Sequence, residues 1–339
     1  MKRELRWLGG VLCAGWLVSG STAYSQATEV CTTQSQMQVE TRDVLSSAAT
    51  SLATMIQAAN QDSVRAATIA EFRADFSGIG NTVASTAPKL KGASPQVEQV
   101  YLLDGSALKS ENGTNPDAQF YCVLNKSASA ATFTIPQLPP GKYAFAMVRM
   151  ESDTPWRLSF LLRQDGGKWL LAGFYPMPLT SGGHDGLWYW KQARTYSAQK
   201  QTWASWLYLQ EAQSLVVPAA FVSSTHLDLL QNELQAAAPP AIGSGMSADV
   251  PMVIRAANGS EFRFTGLSVN DSVSLDIAAH IKVDSLDDAN VARKRNEDAA
   301  AALVNAHPEL KSAFHGVWIF ADAPGKNPYA TLIAMTELK

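Results

Sequence analysis

The chain has 339 residues, enough for two domains, and carries 27 Lys and Arg against 30 Asp and Glu, a formal net charge of −3. Mild acidity with no cluster of Lys or Arg argues against binding by counterion release, so neither nucleic acid nor anionic lipid is expected as a partner. Charged residues make up 17 %, below the roughly 25 % of an average globular protein, and Ala, Ser, Thr and Gln fill the difference.

In chain order, the first element reads as a secretory signal peptide over residues 1–25. Lys2, Arg3 and Arg6 form a basic n-region, and the apolar run Trp7–Val18 is shorter than the about 20 residues a spanning helix needs. Ala23-Tyr24-Ser25 puts small side chains where a signal peptidase reads, so the cut is expected before Gln26. Gly10-Val11-Leu12-Cys13 lacks the small residue that a lipoprotein signal places before its cysteine. Removal of Lys2, Arg3, Arg6 and Glu4 takes away a net +2, so the formal −3 becomes −5. No later segment is apolar enough to span a membrane, and the expected location is the periplasm or the exterior.

Cys31 and Cys122 remain after that cut. In an oxidising compartment such a pair suggests a disulfide; two unconnected thiols stay the alternative, because Cys31 lies close to the mature terminus. A metal site is not expected, since zinc takes four ligands and no His lies near either cysteine.

Apolar residues at helical spacing predict a helix over 38–60, a second from Asp62 through Phe72 and Phe76, and a short third one to Ala87, stopped by Pro88. The period then changes to two. Val97–Leu103, Gln119–Leu124, Ala131–Ile135, Tyr143–Glu151, Trp156–Gln164 and Lys168–Tyr175 read as strands. Gly113–Pro116, Pro139-Pro140-Gly141 and Asp165-Gly166-Gly167 supply the turns. After the glycine-rich break 181–186, an aromatic helix is expected over 187–216 and a second over 219–238, together a helical hairpin. Pro239–Gly245 opens a linker, 239–249. Met252–Ala257 and Glu261–Val269 flank the hairpin signal Asn258-Gly259, and Ser274–Asp284 is a third strand. A helix capped by Ser285 then runs to His307, and Phe314–Ala321 and Thr331–Leu338 complete a C-terminal α+β domain over 250–339. The fold class is α+β.

Trp156–Gln164, then Asp165-Gly166-Gly167-Lys168-Trp169, then a closing strand ending in Gly173-Phe174-Tyr175 resembles the final hairpin of many bacterial members of the nuclear-transport-factor-2-like superfamily, the α+β cone. Helices followed by a twisted antiparallel sheet is also that family's element order. The resemblance covers residues 38–178 and implies a cone-like domain over 26–180. The family hosts isomerases, dehydratases, binding modules and interaction domains, so it implies no single reaction.

Alternation puts Tyr143, Phe145, Met147, Arg149 and Glu151 on one face of a strand, and Ala144, Ala146, Val148 and Met150 on the other. Tyr143, Phe145 and Arg149 are therefore the candidate ligand-binding residues, with Arg149 expected either at the mouth of the cone or at a solvated strand end. Glu98 and Glu151 are expected at strand ends, where an acid–base role is poorly served. His184-Asp185 resembles half a catalytic dyad, but no nucleophile motif accompanies it and a flexible break is the better reading. His280 reads as a structural strand histidine, and His226, His307 and His315 hold ordinary places. Four tryptophans and three tyrosines between Trp188 and Tyr208 read as core against a neighbouring unit before they read as a sugar- or peptide-stacking face. No catalytic residue, metal or cofactor is assigned. The expected role is an exported accessory protein that binds a small molecule or an envelope protein. A cofactor-independent hydrolase or isomerase working in the cone pocket, and a purely structural envelope protein, are the rivals.

Overall fold

The computed structural model describes residues 29–123, 129–243, 245–256, 258–272, 274–286 and 288–338. The expected signal peptide and Leu124 lie outside them. The fold is mixed α+β.

Strand β1 (Val30–Thr33) precedes helices α1 (Val39–Gln57), α2 (Gln61–Ala66), α3 (Ala70–Ala74) and α4 (Ser77–Thr86). Leu45, Ala49, Leu52, Ala53 and Ile56 line one stripe of α1 and are buried, as an amphipathic helix requires. The second expected helix is split into α2 and α3. Between them the chain turns to bond with a strand: Ile69 N–H donates to Leu171 O at 3.0 Å, and Leu171 N–H donates to Ala67 O at 2.8 Å. Pro88 sits in a single 3-10 turn after α4.

The strands that follow are β2 (Ser94–Gly105), β3 (Ala118–Val123), β4 (Ala130–Ile135), β5 (Gly141–Glu151), β6 (Trp156–Asp165) and β7 (Lys168–Pro178). An open antiparallel sheet forms in the order β1-β2-β5-β6-β7, while β3 and β4 leave it as a hairpin. Gly166 and Gly167 close β6 onto β7 at φ 55° and 77°, left-handed values that favour glycine. One face of the sheet, through Ala144, Ala146, Val148 and Met150, packs on α1, α2 and α4. Its other face, through Tyr101, Leu103, Tyr143, Phe145 and Leu161, packs on Phe120 and Phe133 of the β3–β4 hairpin. Cys31 and Cys122 form a disulfide with Cα atoms 5.3 Å apart, which ties β1 of the sheet to β3 of the hairpin.

Two short strands, β8 (Thr180–Ser181) and β9 (His184–Asp185), lead into α5 (Gly186–Ala198) and α6 (Thr202–Val216). The single helix expected over 187–216 is thus two. Lys200 at φ 61° makes the break, with no glycine or proline to announce it. Gly186 lies against the end of α6, where a Cβ would come within 2.4 Å of Val216 Cγ1, so α5 and α6 run antiparallel and are themselves the helical hairpin. Strand β10 (Val222–Ser224) then pairs with β4, and α7 (Thr225–Ala236) follows, six residues later than expected.

In the C-terminal part, β11 (Met252–Arg255), β12 (Glu261–Asn270), β13 (Asp276–Lys282), α8 (Ala289–Ala306), α9 (Leu310–Ala313), β14 (Gly316–Asp322) and β15 (Tyr329–Ala334) form a five-stranded sheet in sequence order, with β13 and β14 parallel across the helices. Asp288, not Ser285, caps α8, its carboxylate accepting from Asn290 and Val291 N–H at 2.8 and 3.0 Å. The aromatic rings of α5 and α6 are core. Tyr189, Trp190, Trp203, Trp206 and Tyr208 are buried in one cluster with Phe264, Ile277 and Leu303 of the C-terminal part. Ile242, within the expected linker, is buried in the same cluster.

Glu211 of α6 is half-buried at the seam beside Ser181 and the Asp271 loop. Burial raises its carboxyl above the ordinary range, Asp271 raises it further, and Ser181 and Ser214 offset part of this. The folded chain therefore holds that proton more tightly than the unfolded chain, so stability is lost as pH rises from the ordinary value of 4.5 through the raised one. Glu211→Gln is expected to raise the thermal midpoint at pH 7 and to flatten its decline as pH rises above 4.5. Parallel pH slopes for the two proteins in thermal circular dichroism would contradict this.

Candidate functional site

The face of the first sheet that carries Tyr143 is not fully covered by the β3–β4 hairpin. Beyond the hairpin's end a cleft of about 450 Å³ opens between β5–β7, the segment 135–139 and α3. Its base is apolar: Ile69, Ile135, Leu138, Leu161 and Ala172 line it and are buried. Its wall is stiff, because Pro136 and Pro139 fix their own φ and Leu138 N–H donates to Pro116 O at 2.9 Å. Gln137, on the same wall, is held at φ 49° while its N–H donates to Asp117 Oδ1.

Polar groups converge on this apolar base. Tyr143 is 2 % exposed and its hydroxyl donates to Pro139 O at 2.9 Å. Burial raises the Tyr143 hydroxyl pKa, and the neighbouring Arg163 offsets part of that rise. Arg163 stands opposite Tyr143 in the β5–β6 register and donates from Nη1 and Nη2 to the two Glu71 carboxylate oxygens at 2.9 and 3.0 Å. That bond holds Glu71 ionised below the ordinary carboxylate range and raises Arg163. The pairing of residues 67–69 with the edge of β7 is what brings α3, and Glu71 with it, to this place. Phe72, 44 % exposed, stands at the mouth.

Gly173 has a specific task here. A Cβ on it would fall 2.7 Å from the Tyr175 hydroxyl and 2.9 Å from its ring, so the bare backbone lets that ring lie back along β7. Tyr175 thereby meets Phe221 edge-on at 5.3 Å, and both line the cleft.

Of the three expected ligand residues, the structure places only Tyr143 in the lining. Phe145 is fully buried one layer behind it, with Phe133 at 5.3 Å and Phe221 at 5.5 Å. Arg149 stands six residues along β5, roughly 20 Å away at strand rise, in an ion pair with Glu151. Glu98 is not at a strand end. It sits at the bulge of β2 between Val97 and Gln99 and accepts from Arg157 Nε at 2.8 Å. His184 stacks flat on Trp188 at 3.7 Å, and Asp185 caps α5 by accepting from Trp188 N–H. His280 bonds Asp322 at 2.9 Å and stacks on Phe320. Sequence reading missed Ile69, Glu71, Phe72, Arg163, Tyr175 and Phe221. The Gly173-Phe174-Tyr175 ending was the one local signal, since a glycine two residues before a tyrosine on the same strand face leaves room for the ring.

Among the described residues no group of three or more His, Cys, Asp and Glu is placed to hold a metal ion, and no helix is long and apolar enough to cross a membrane. No protein family, characterised protein or solved structure matches the chain.

Proposed function

We propose that this is an exported accessory protein whose N-terminal α+β unit is a binding module of the cone type, and that the Tyr143 cleft is its ligand site. The carrying observation is the cleft itself, about 450 Å³, apolar at its base with Tyr143, Tyr175 and the Arg163–Glu71 pair around it. This is the make-up of a preformed small-molecule site. It suits a compact apolar or aromatic molecule, or one aromatic side chain of a protein partner, bearing a group that hydrogen-bonds Tyr175 or Arg163. Export is supported by the basic and apolar start of the chain and by the Cys31–Cys122 bond, a linkage typical of oxidising compartments.

The test is titration of the purified mature chain with a small fluorescent apolar probe. Phe72→Ser, at an exposed position, is expected to leave stability within about 0.5 kcal/mol of the original while weakening the probe about tenfold. Gly173→Ala, by pushing the Tyr175 ring into the cleft, is expected to weaken it at least as much. Equal affinity in the original protein and both variants would sink the site. Product formation from retained envelope metabolites would promote the enzyme over the module.

A further inference from the structure

We infer that a second site, the pocket between the first half of α8 and the ends of β12 and β13, binds a small organic anion, with Arg295 on its carboxylate or phosphate group. The pocket measures about 590 Å³. Arg263, Lys282, Lys294 and Arg295 line it against two carboxylates, Glu261 and Asp298, a positive excess in a chain whose net charge is −3.

The two carboxylates are already paired, in part with Arg263 and Lys294 of the same lining, which leaves Lys282 and Arg295. Glu261 pairs with Arg255 and Arg263 at 3.3 and 3.4 Å, and Asp298 pairs with Lys294. Asp288, nearby, is spent on the cap of α8. Among the described residues neither Lys282 nor Arg295 has an ion-pair partner. Arg295 donates one bond, from Nη1 to Ser285 O at 3.2 Å, while its Nε and Nη2 are shielded from solvent with no acceptor. A guanidinium so placed carries an uncompensated desolvation cost, and burial accordingly lowers its pKa. The Nε–Nη2 edge presents two parallel donors, which match the two coplanar oxygens of a carboxylate or phosphate. Both atoms are shielded in this conformation, so binding requires the side chain to turn this edge toward the pocket, and a bound anion would then satisfy both donors. Phe262, Ile281, Val283 and the exposed Val291 border the same space and give an apolar bed for the rest of the molecule.

The experiment is isothermal titration of the full mature chain with benzoate, phenyl phosphate and the neutral benzamide. One of the two anions is expected to bind with a Kd of about 1 mM or tighter, and which one assigns the acidic group. Benzamide is expected to bind at least about tenfold more weakly. Arg295→Gln is expected to weaken the anion about tenfold, and Lys282→Gln, at an exposed rim position that keeps the fold, about threefold. Phe72→Ser is expected to leave this binding unchanged, which keeps the two sites distinguishable. No heat from either anion, equal binding of benzamide, or unchanged affinity in Lys282→Gln together with any folded Arg295 variant would overturn the proposal.

Discussion

Loss of the Cys31–Cys122 bond is expected to destabilise the N-terminal unit by about 4–5 kcal/mol and to lower its thermal midpoint by roughly 10 °C. The bond joins residues 91 apart in sequence, and closing so long a loop removes much of the unfolded chain's freedom. It also has a local role. β1 is four residues long and caps the edge of β2, with Cys31 opposite Leu103. Without the bond, so short a strand frays, and β2 presents unpaired N–H and C=O groups to other chains. The Cys31→Ala, Cys122→Ala double variant should therefore melt earlier and aggregate on heating. Reductant should reproduce the effect in the original protein and add nothing to the variant. An unchanged midpoint in the double variant would show that β1 is dispensable.

The first sheet was legible because its signal is local. Alternation along 143–150 separates Tyr143 and Phe145 from Ala144, Ala146, Val148 and Met150, and these two sets pack on opposite faces. Alternation fixes a face, however, and not a position along it, which is why Arg149 shares Tyr143's side of the strand without sharing its site. The cleft itself is a product of distant contacts. Glu71 and Arg163 lie 92 residues apart, and Phe221 reaches the site because three residues, Val222–Ser224, pair with β4. A three-residue strand has no period to read. The break at Lys200 was hidden for a related reason, since a non-glycine residue in the left-handed region leaves no mark in the sequence. The aromatic density of α5 and α6 was readable as core because the apolar residues Ala193 and Leu207 share the face of the rings. That its core is shared with the C-terminal sheet was not, because the partner positions, such as Phe264 and Ile277, come some 60 or more residues later.

Phe145→Ala is expected to lower the stability of the N-terminal unit by about 3–5 kcal/mol, the cost of deleting a fully buried ring and leaving the cavity. The ring touches both layers, Phe133 of the hairpin and Phe221 before β10, so its loss loosens the strand pairing that holds Phe221 at the cleft. Phe145→Leu refills most of the space and should cost less than half as much. This series separates a residue that builds the site from one that touches the ligand. The leucine variant should bind the apolar probe as the original does, because Phe145 lies behind the lining. Tyr143→Phe should cost only about 1 kcal/mol, the hydroxyl bond to Pro139 O, and should alter probe affinity because that wall moves. Urea titration read by circular dichroism gives the stabilities, with an unchanged slope expected in each case. A Phe145→Leu protein of near-original stability that no longer binds the probe would make Phe145 a contact residue after all.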